Sequence, residues 1–334
     1  MAAFDNAKND ERPPRRGDKH MNFQQLRSVR EAVRQGFNLT TVADALHTSQ
    51  PGISRQIREL EDELGVEIFV RAGKRLTGLT PAGERVLPWV ERTLLDVENL
   101  HRASDDFRLG DSGVLSVAAT HSQARYALPQ TVHEFRGLHP KVQLQMHQGS
   151  PSQIAQMLLT GTADIGIASH VLADNPELVA LPCYRWTHAV VVPAGHPLLD
   201  GPLTLERLAE HPVITYDVGL TGRGSIDNAF ERAGLKPRVV LTAMDADVIK
   251  TYVELGLGVG IMASIAFDDQ RDSHLRAIDA RHLFSINTTS VAVRRGGLLR
   301  GFAYDFIQTF APHLTREIVQ QAQAAPAGTP SAPL

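Results

Sequence analysis

Cysteine is almost missing from this chain: Cys183 is the single one among 334 residues. An intrachain disulfide framework is excluded, and the composition suits a reducing compartment. Charge of one sign is missing too. Lysine and arginine number 34 against 37 aspartates and glutamates, leaving a net charge of -3. Nothing global announces nucleic acid, so basic groups that meet DNA must be placed locally. No apolar run approaches the roughly 20 residues of a membrane span. The first twenty residues, with Asp10, Glu11, Pro13, Pro14, Arg15 and Arg16, lack the apolar core of a secretory signal. These absences predict a cytoplasmic protein with no membrane partner. No internal repeat of fixed period is present.

What is there falls into distinct stretches. Residues 1–20 and 318–334, the latter rich in alanine and proline, read as a disordered extension and tail. From 21 to 80 the pattern is short helices. Leu26, Val29 and Val33 share one face, Leu39, Val42, Ala43 and Leu46 a second, and Ile53, Ile57, Leu60 and Leu64 a third. Asn38 and Ser49 are N-caps for the second and third, and His47 and Thr48 make a tight turn between them. Pro51 falls in the first turn, where proline is tolerated. Ser49, Gln50, Ser54, Arg55 and Arg58 then project opposite the apolar stripe. Glutamine can pair bidentately with adenine and arginine with guanine in the major groove, while serine and a helix N-terminus suit phosphate. The apolar run 68–70, the basic turn Arg71, Gly73, Lys74, Arg75, and a following strand form a wing whose cations suit phosphates or the minor groove. A solvated charged face is the bland alternative, supported by Glu59, Glu61, Asp62 and Glu63. Turn, reading face and wing in this order favour a winged helix-turn-helix on double-stranded promoter DNA.

Residues 81–108 form one long helix, capped by Thr80 and started by Pro81, with Pro88 bending it. Leu87, Val90, Leu94 and Val97 follow 3-4-3 spacing, an a/d seam whose simplest partner is a second copy. Beyond Gly113, strands and helices alternate, which predicts an α/β domain over 109–317 with largely parallel sheets and a cleft between two of them.

These residues are familiar. Met21 to Leu26, Thr48 to Ser54, Leu60 to Gly65 and Leu79 to Gly83 resemble the N-terminal domain of LysR-type regulators. Thr120 to Pro129, Met146 to Pro151, Leu181 to Tyr184, Asp245 to Tyr252 and Tyr304 to Gln308 resemble one branch, that of the cysteine-regulon activator and its sulfonate-starvation relative. The resemblance implies two α/β subdomains arranged like a periplasmic binding protein, one from 113–182 and 288–317 and one from 183–287. Hinge crossovers are implied near Leu181–Tyr184 and Phe284–Thr288. It also implies a dimer of dimers, RNA polymerase as partner, and control of sulfur assimilation or, alternatively, of sulfonate and sulfate-ester utilisation.

The cleft reading has a physical basis. Thr120, Ser122 and Gln123 follow a strand and open a helix, where N–H groups and hydroxyls suit an anion without a formal cation. Ser150, Ser152 and Gln153 repeat the arrangement, and Thr221-Gly-Arg223-Gly224 adds a polar loop. Capping alone explains any one such hydroxyl; convergence at one sheet end favours binding. The resemblance implies an acetylserine-type inducer or sulfate at Thr120, Ser122, Gln123, Ser169 and Thr221, with Ser122 and Ser169 standing where the cysteine regulator usually has threonine.

Other signals fail. Gly256-Leu-Gly258-Val-Gly260 precedes a strand where a phosphate loop must follow one. His121, His133, His139 and His147 lack metal-ligand spacing on one helix face. Ser122 has no G-x-S-x-G elbow, and Cys183 reads as a buried hinge thiol. No cofactor and no catalytic residue is expected. A solute-binding module would need export, and an α/β enzyme would need a convergent acid, base or nucleophile.

Overall fold

Asn22 accepts from the Gln25 N–H while the Gln25 side chain reaches back to the Asn22 N–H, a capping box that fixes the first turn of α1 (Phe23–Arg34). The computed structural model describes residues 21–73, 75–169, 172, 175–220 and 222–326. It divides near residue 100 into two compact units. The expected extension 1–20 and the end of the tail, 327–334, lie outside the described residues.

In the first unit Asn38 and Ser49 cap α2 (Leu39–Ala45) and α3 (Gln50–Leu64). His47, between them, has a φ of 50°. Non-glycine residues enter that left-handed region only at tight turns, which is how α3 leaves α2 sharply. β1 (Phe69–Ala72) and β2 (Arg75–Leu79) pair antiparallel as the wing. α4 (Pro81–Leu109) starts hard against it. A Cβ at Gly83 would sit 2.0 Å from the Ile68 carbonyl oxygen, so only glycine fits.

The 3-4-3 stripe of α4 does not wait for a second chain. Val90 and Leu94 are 4% and 2% exposed in the core shared with Val29, Ile53, Ile57 and Phe69, and Leu87 packs against its edge. The head covers Val90 and Leu94, so these two are corrected from a seam between copies to the head's own core. Val97 is half-buried. Trp89 and Leu100 are instead exposed, at 73% and 71%. About three helical turns separate them, so they share one face.

The second unit holds two five-stranded sheets. The first orders as β4 (Val142–Gln148), β3 (Gly113–Ala119), β5 (Ile165–Ser169), β12 (Asn287–Arg294) and β6 (Leu178–Trp186). The second orders as β11 (Leu275–Asp279), β7 (His188–Pro193), β10 (Val259–Ala263), β8 (Pro212–Tyr216) and β9 (Arg238–Ala243). Strand β3 runs parallel to β4 and β5, and β8 to β9 and β10. But β12 is antiparallel to β5 and β6, and β7 to β10 and β11. The sheets are therefore mixed, because β7 and β12, the strands that follow the two crossovers, run against their neighbours. Helices α5 (Leu128–Leu138), α6 (Pro151–Thr160), α7 (Leu205–Ala209), α8 (Arg223–Arg232), α9 (Ala246–Glu254) and α10 (Gly301–Phe310) link or cover the strands.

Two expectations change here. β6 stays bonded to β12 as far as Trp186, and β7 begins at His188, so the first crossover is at Thr187 rather than Leu181–Tyr184. Cys183 lies inside a strand, where burial pushes its thiol up to about 12, against a backbone hydrogen bond from Val291; such a thiol is unreactive. Pro182 hid this strand in the sequence. β6 is an edge, and a register shift at Thr289/Ser290 lies opposite the proline. The second correction is at the tail. Thr315 caps α11 (Arg316–Ala324), which buries Val319 and Gln323, so residues 318–324 are helical. Among the described residues no helix is long and apolar enough to cross a membrane.

Candidate functional site

On α3, Ser49, Gln50, Pro51, Arg55 and Arg58 are exposed and Ser54 is half-buried, opposite Ile53, Ile57 and Leu60. The Gly52 N–H donates to Ser49 Oγ at 3.3 Å. The Arg55 side chain is 81% exposed, and its Nε lies 2.8 Å from Glu59 Oε1. Surface pairs of this kind are weak, so the Arg55 guanidinium is available to a partner. Arg71 differs. Its Nη2 is 2.6 Å from Oε2 of buried Glu61, whose Oε1 accepts from the Ile68 and Phe69 N–H groups at 2.8 and 3.1 Å. This guanidinium ties the wing to α3, a task its sequence context does not reveal. Arg75 is exposed, and Lys74 lies outside the described residues.

Between the sheets of the second unit lies a cavity of about 360 Å³. Thr120, His121, Ser122 and Gln123, from the turn after β3, line one wall with Gln148, Gly149 and Gln153. Trp186, Tyr216, Leu220, Met244, Asp245 and Ala263 complete it. Of the expected ligand residues, the structure brings Thr120, Ser122 and Gln123 together here. Gln123 is already engaged at both ends: Tyr184 donates to its Oε1, and its Nε2 donates to Thr289 Oγ1 at 3.1 Å. It braces the wall as well as lining it. Ser122 is hydrogen-bonded to Tyr216, whose hydroxyl accepts from the Ala263 N–H at 3.1 Å. Burial raises the Tyr216 pKa, so the phenol stays a neutral donor.

Two expected residues sit elsewhere. Ser150 is the N-cap of α6, with Oγ accepting from the Gln153 N–H and bonded to Ser152 Oγ at 3.0 Å, so capping is its observed role. Ser169 ends β5, buried opposite Thr289, and does not line the cavity. Thr221 lies outside the described residues. Two polar atoms escaped the sequence reading. Trp186 Nε1 and His121 Nδ1 are buried without a hydrogen-bond partner among the described residues, in side chains lining the cavity. His121, Asp245 and Asp247 each bring a donor atom within 4.8 Å of the others. Asp247, however, is already held by Tyr126, Arg125 and Lys250, and two cations balance its charge.

Behind Trp186, His188 is 1% exposed, and a Cβ on Gly222 would meet its Nε2 at 2.5 Å. Desolvation drives its pKa down to about 4, the Gly222 backbone opposing. The folded chain therefore holds this imidazole neutral, while the unfolded chain protonates it near 6.5. Its contribution is fully present above about pH 6.5 and is lost progressively as pH falls toward 4, by about 3 kcal/mol in all. Resistance of the second unit to urea should weaken across that window, and His188→Phe, which keeps the edge-to-face contacts with Trp186 and Phe284, should flatten the slope. Equal slopes would rule this histidine out.

Residues 23–84 match the model of the bacterial regulatory helix-turn-helix protein, lysR family, and residues 108–315 match that of the LysR substrate binding domain. The chain is 59% identical over 295 residues to the HTH-type transcriptional regulator SsuR of Burkholderia cenocepacia, covering 88% of this chain and 96% of that one. It is 54% identical to the HTH-type transcriptional regulator CysB of the same organism, covering 90% and 97%. The crystal structure of the cofactor-binding domain of the Cbl transcriptional regulator superposes with a TM-score of 0.62 at 48% identity, covering 64% of this chain and 95% of that one. The chain belongs to the LysR family of helix-turn-helix transcriptional regulators.

Proposed function

We propose that the protein regulates sulfur-assimilation genes from the cytoplasm, binding promoter DNA through α3 and the wing and a small anionic sulfur metabolite in the cavity. The cavity carries the reading. Thr120 and Ser122 on one strand-to-helix turn and Gly149 on the next converge at the same end of the sheet, and no arginine or lysine lines the walls among the described residues. Neutral hydroxyls and helix N-terminal N–H groups hold an anion reversibly, as a sensor requires. The branch resemblance and the relatives named SsuR and CysB support the sulfur assignment. Exposed Trp89 and Leu100 on one side of α4 suit pairing with a second copy, the first step toward a dimer of dimers that engages RNA polymerase.

Thr120→Val removes one donor and keeps the shape. A hydrogen bond to a charged group is worth about 1.5–3 kcal/mol, so affinity should fall about ten- to a hundredfold. Calorimetry of the full chain with acetylserine, sulfate and thiosulfate checks this. Equal affinities for wild type and variant place the ligand elsewhere, and no binding by wild type defeats the sulfur reading. Ser122 favours a second reading, control of sulfonate and sulfate-ester utilisation. It lacks the methyl group of the cysteine regulator's threonine and leaves room for a larger effector, so the ranking of sulfonates against acetylserine in the same titrations separates the two.

A further inference from the structure

Tyr126 belongs to the first subdomain, yet its ring packs against the core of the second, which includes Ile214, Tyr216, Ala246 and Ile249. Its hydroxyl donates to Asp247 Oδ1 at 2.7 Å. Arg125 Nε lies 3.4 Å from Asp247 Oδ2. On the second subdomain's own side, Lys250 Nζ is 3.3 Å from Asp247 Oδ1 and 5.4 Å from the Tyr126 ring centre. That ammonium is anchored in turn, 3.0 Å from Asp272 Oδ1 and 3.1 Å from the Ala266 carbonyl. A phenol and a guanidinium from one subdomain thus grip a carboxylate that the other subdomain holds in place.

The grip adjoins the cavity on both walls. Gln123 and Tyr126 share one π-helical turn, Gln123–Ala127, and Asp245 caps the helix that carries Asp247. A π turn is wider than an α turn and is frequent at functional sites. Here Gln123 bonds to the first subdomain while Tyr126 crosses to the second. Partial burial works against the charge on Asp247, but Tyr126, Lys250 and Arg125 outweigh it and hold the carboxyl below its usual range. The walls cannot part without withdrawing the tyrosine from an apolar core and stripping Asp247 of its donors.

We propose that Tyr126, Arg125 and Asp247 form a latch that sets the spacing of the two cavity walls, acting as positioning residues for a ligand they do not touch. Breaking the latch lowers the fraction of chains in the closed form, and apparent affinity falls by that fraction. The affinity half of this inference rests on the cavity being the effector site; the latch itself does not.

Tyr126→Phe removes the hydroxyl and keeps the ring, and Asp247→Asn keeps the shape. In the full chain without ligand, hydrogen exchange should accelerate in 121–127 and 246–254 for both. Thiosulfate and acetylserine should then bind about tenfold more weakly, through faster dissociation measured by stopped flow. Asp247→Asn takes the charge from the acceptor that Tyr126 and Arg125 share, so the double variant should lose less than the two single changes added together. A role in local stability only would leave ligand dissociation unmoved. Unchanged exchange overturns the latch whatever the ligand, and raised exchange with unchanged affinity overturns the positioning role. If wild type binds neither probe, the sulfur reading fails, and the exchange result decides the latch by itself.

Discussion

Leu94→Glu is expected to unfold the helical head of a single chain, whereas Leu100→Glu should leave that head folded and separate the chain from its copy. Leu94 is 2% exposed among Val29, Ile57, Phe69 and their neighbours. Truncating such a leucine costs about 2–5 kcal/mol, and burying an unpaired carboxylate adds several more. The sum rivals the whole stability of a domain, about 5–15 kcal/mol. Leu100, at 71% exposed, has no such core to disrupt, and surface changes usually stay within about 0.5 kcal/mol. Trp89 lies on the same side of α4, with Thr93 and Asp96 between them, so a copy pairing here would bury two separate apolar anchors. A charge there opposes pairing without opposing folding. Circular dichroism melts and sedimentation separate the outcomes. A Leu94→Glu head that melts like wild type contradicts the core assignment, and an unchanged mass for Leu100→Glu places the dimer face elsewhere.

That contrast shows where sequence reasoning ends. The 3-4-3 spacing of Leu87, Val90, Leu94 and Val97 says that one face of α4 is buried, but a period carries no record of what buries it. The caps at Asn38 and Ser49 were legible because a cap is a contact across three residues, complete within the local sequence. Thr120 and Ser122 were legible for the same reason, as hydroxyls at a strand-to-helix turn. Tyr216, Asp245 and Ala263 were not: the chain returns to the cavity about a hundred residues later, and nothing local to them signals it. Ser150 went the other way, since a capping hydroxyl and a ligand hydroxyl look alike until the bond to Gln153 is seen. The crossover at Thr187 was hidden because Pro182 argues against a strand, and only the edge position of β6 makes proline acceptable there.

Replacing both Gln50 and Arg55 with alanine is expected to erase sequence preference while leaving the head folded. Both side chains are exposed on α3 opposite its core stripe, and Arg55 is held only by the exposed pair with Glu59. Each bidentate base contact is worth about 1–3 kcal/mol of discrimination, so the pair accounts for about 2–6 kcal/mol at a selected site. Arg75→Ala should act differently. An exposed wing cation meets phosphate, so its loss weakens every duplex alike and lowers the salt slope by about one. Arg71→Ala should be different again. It leaves buried Glu61 with two N–H donors but no cation, so the wing loosens and the head melts earlier before any DNA is present. Fluorescence anisotropy on a selected promoter duplex and a scrambled one, at several salt concentrations, reads the first two effects, and a thermal melt reads the third. If the Gln50→Ala/Arg55→Ala protein still prefers the promoter duplex as wild type does, α3 is not the reading helix. If Arg71→Ala melts normally and only loses DNA, the guanidinium belongs to the phosphate contacts after all.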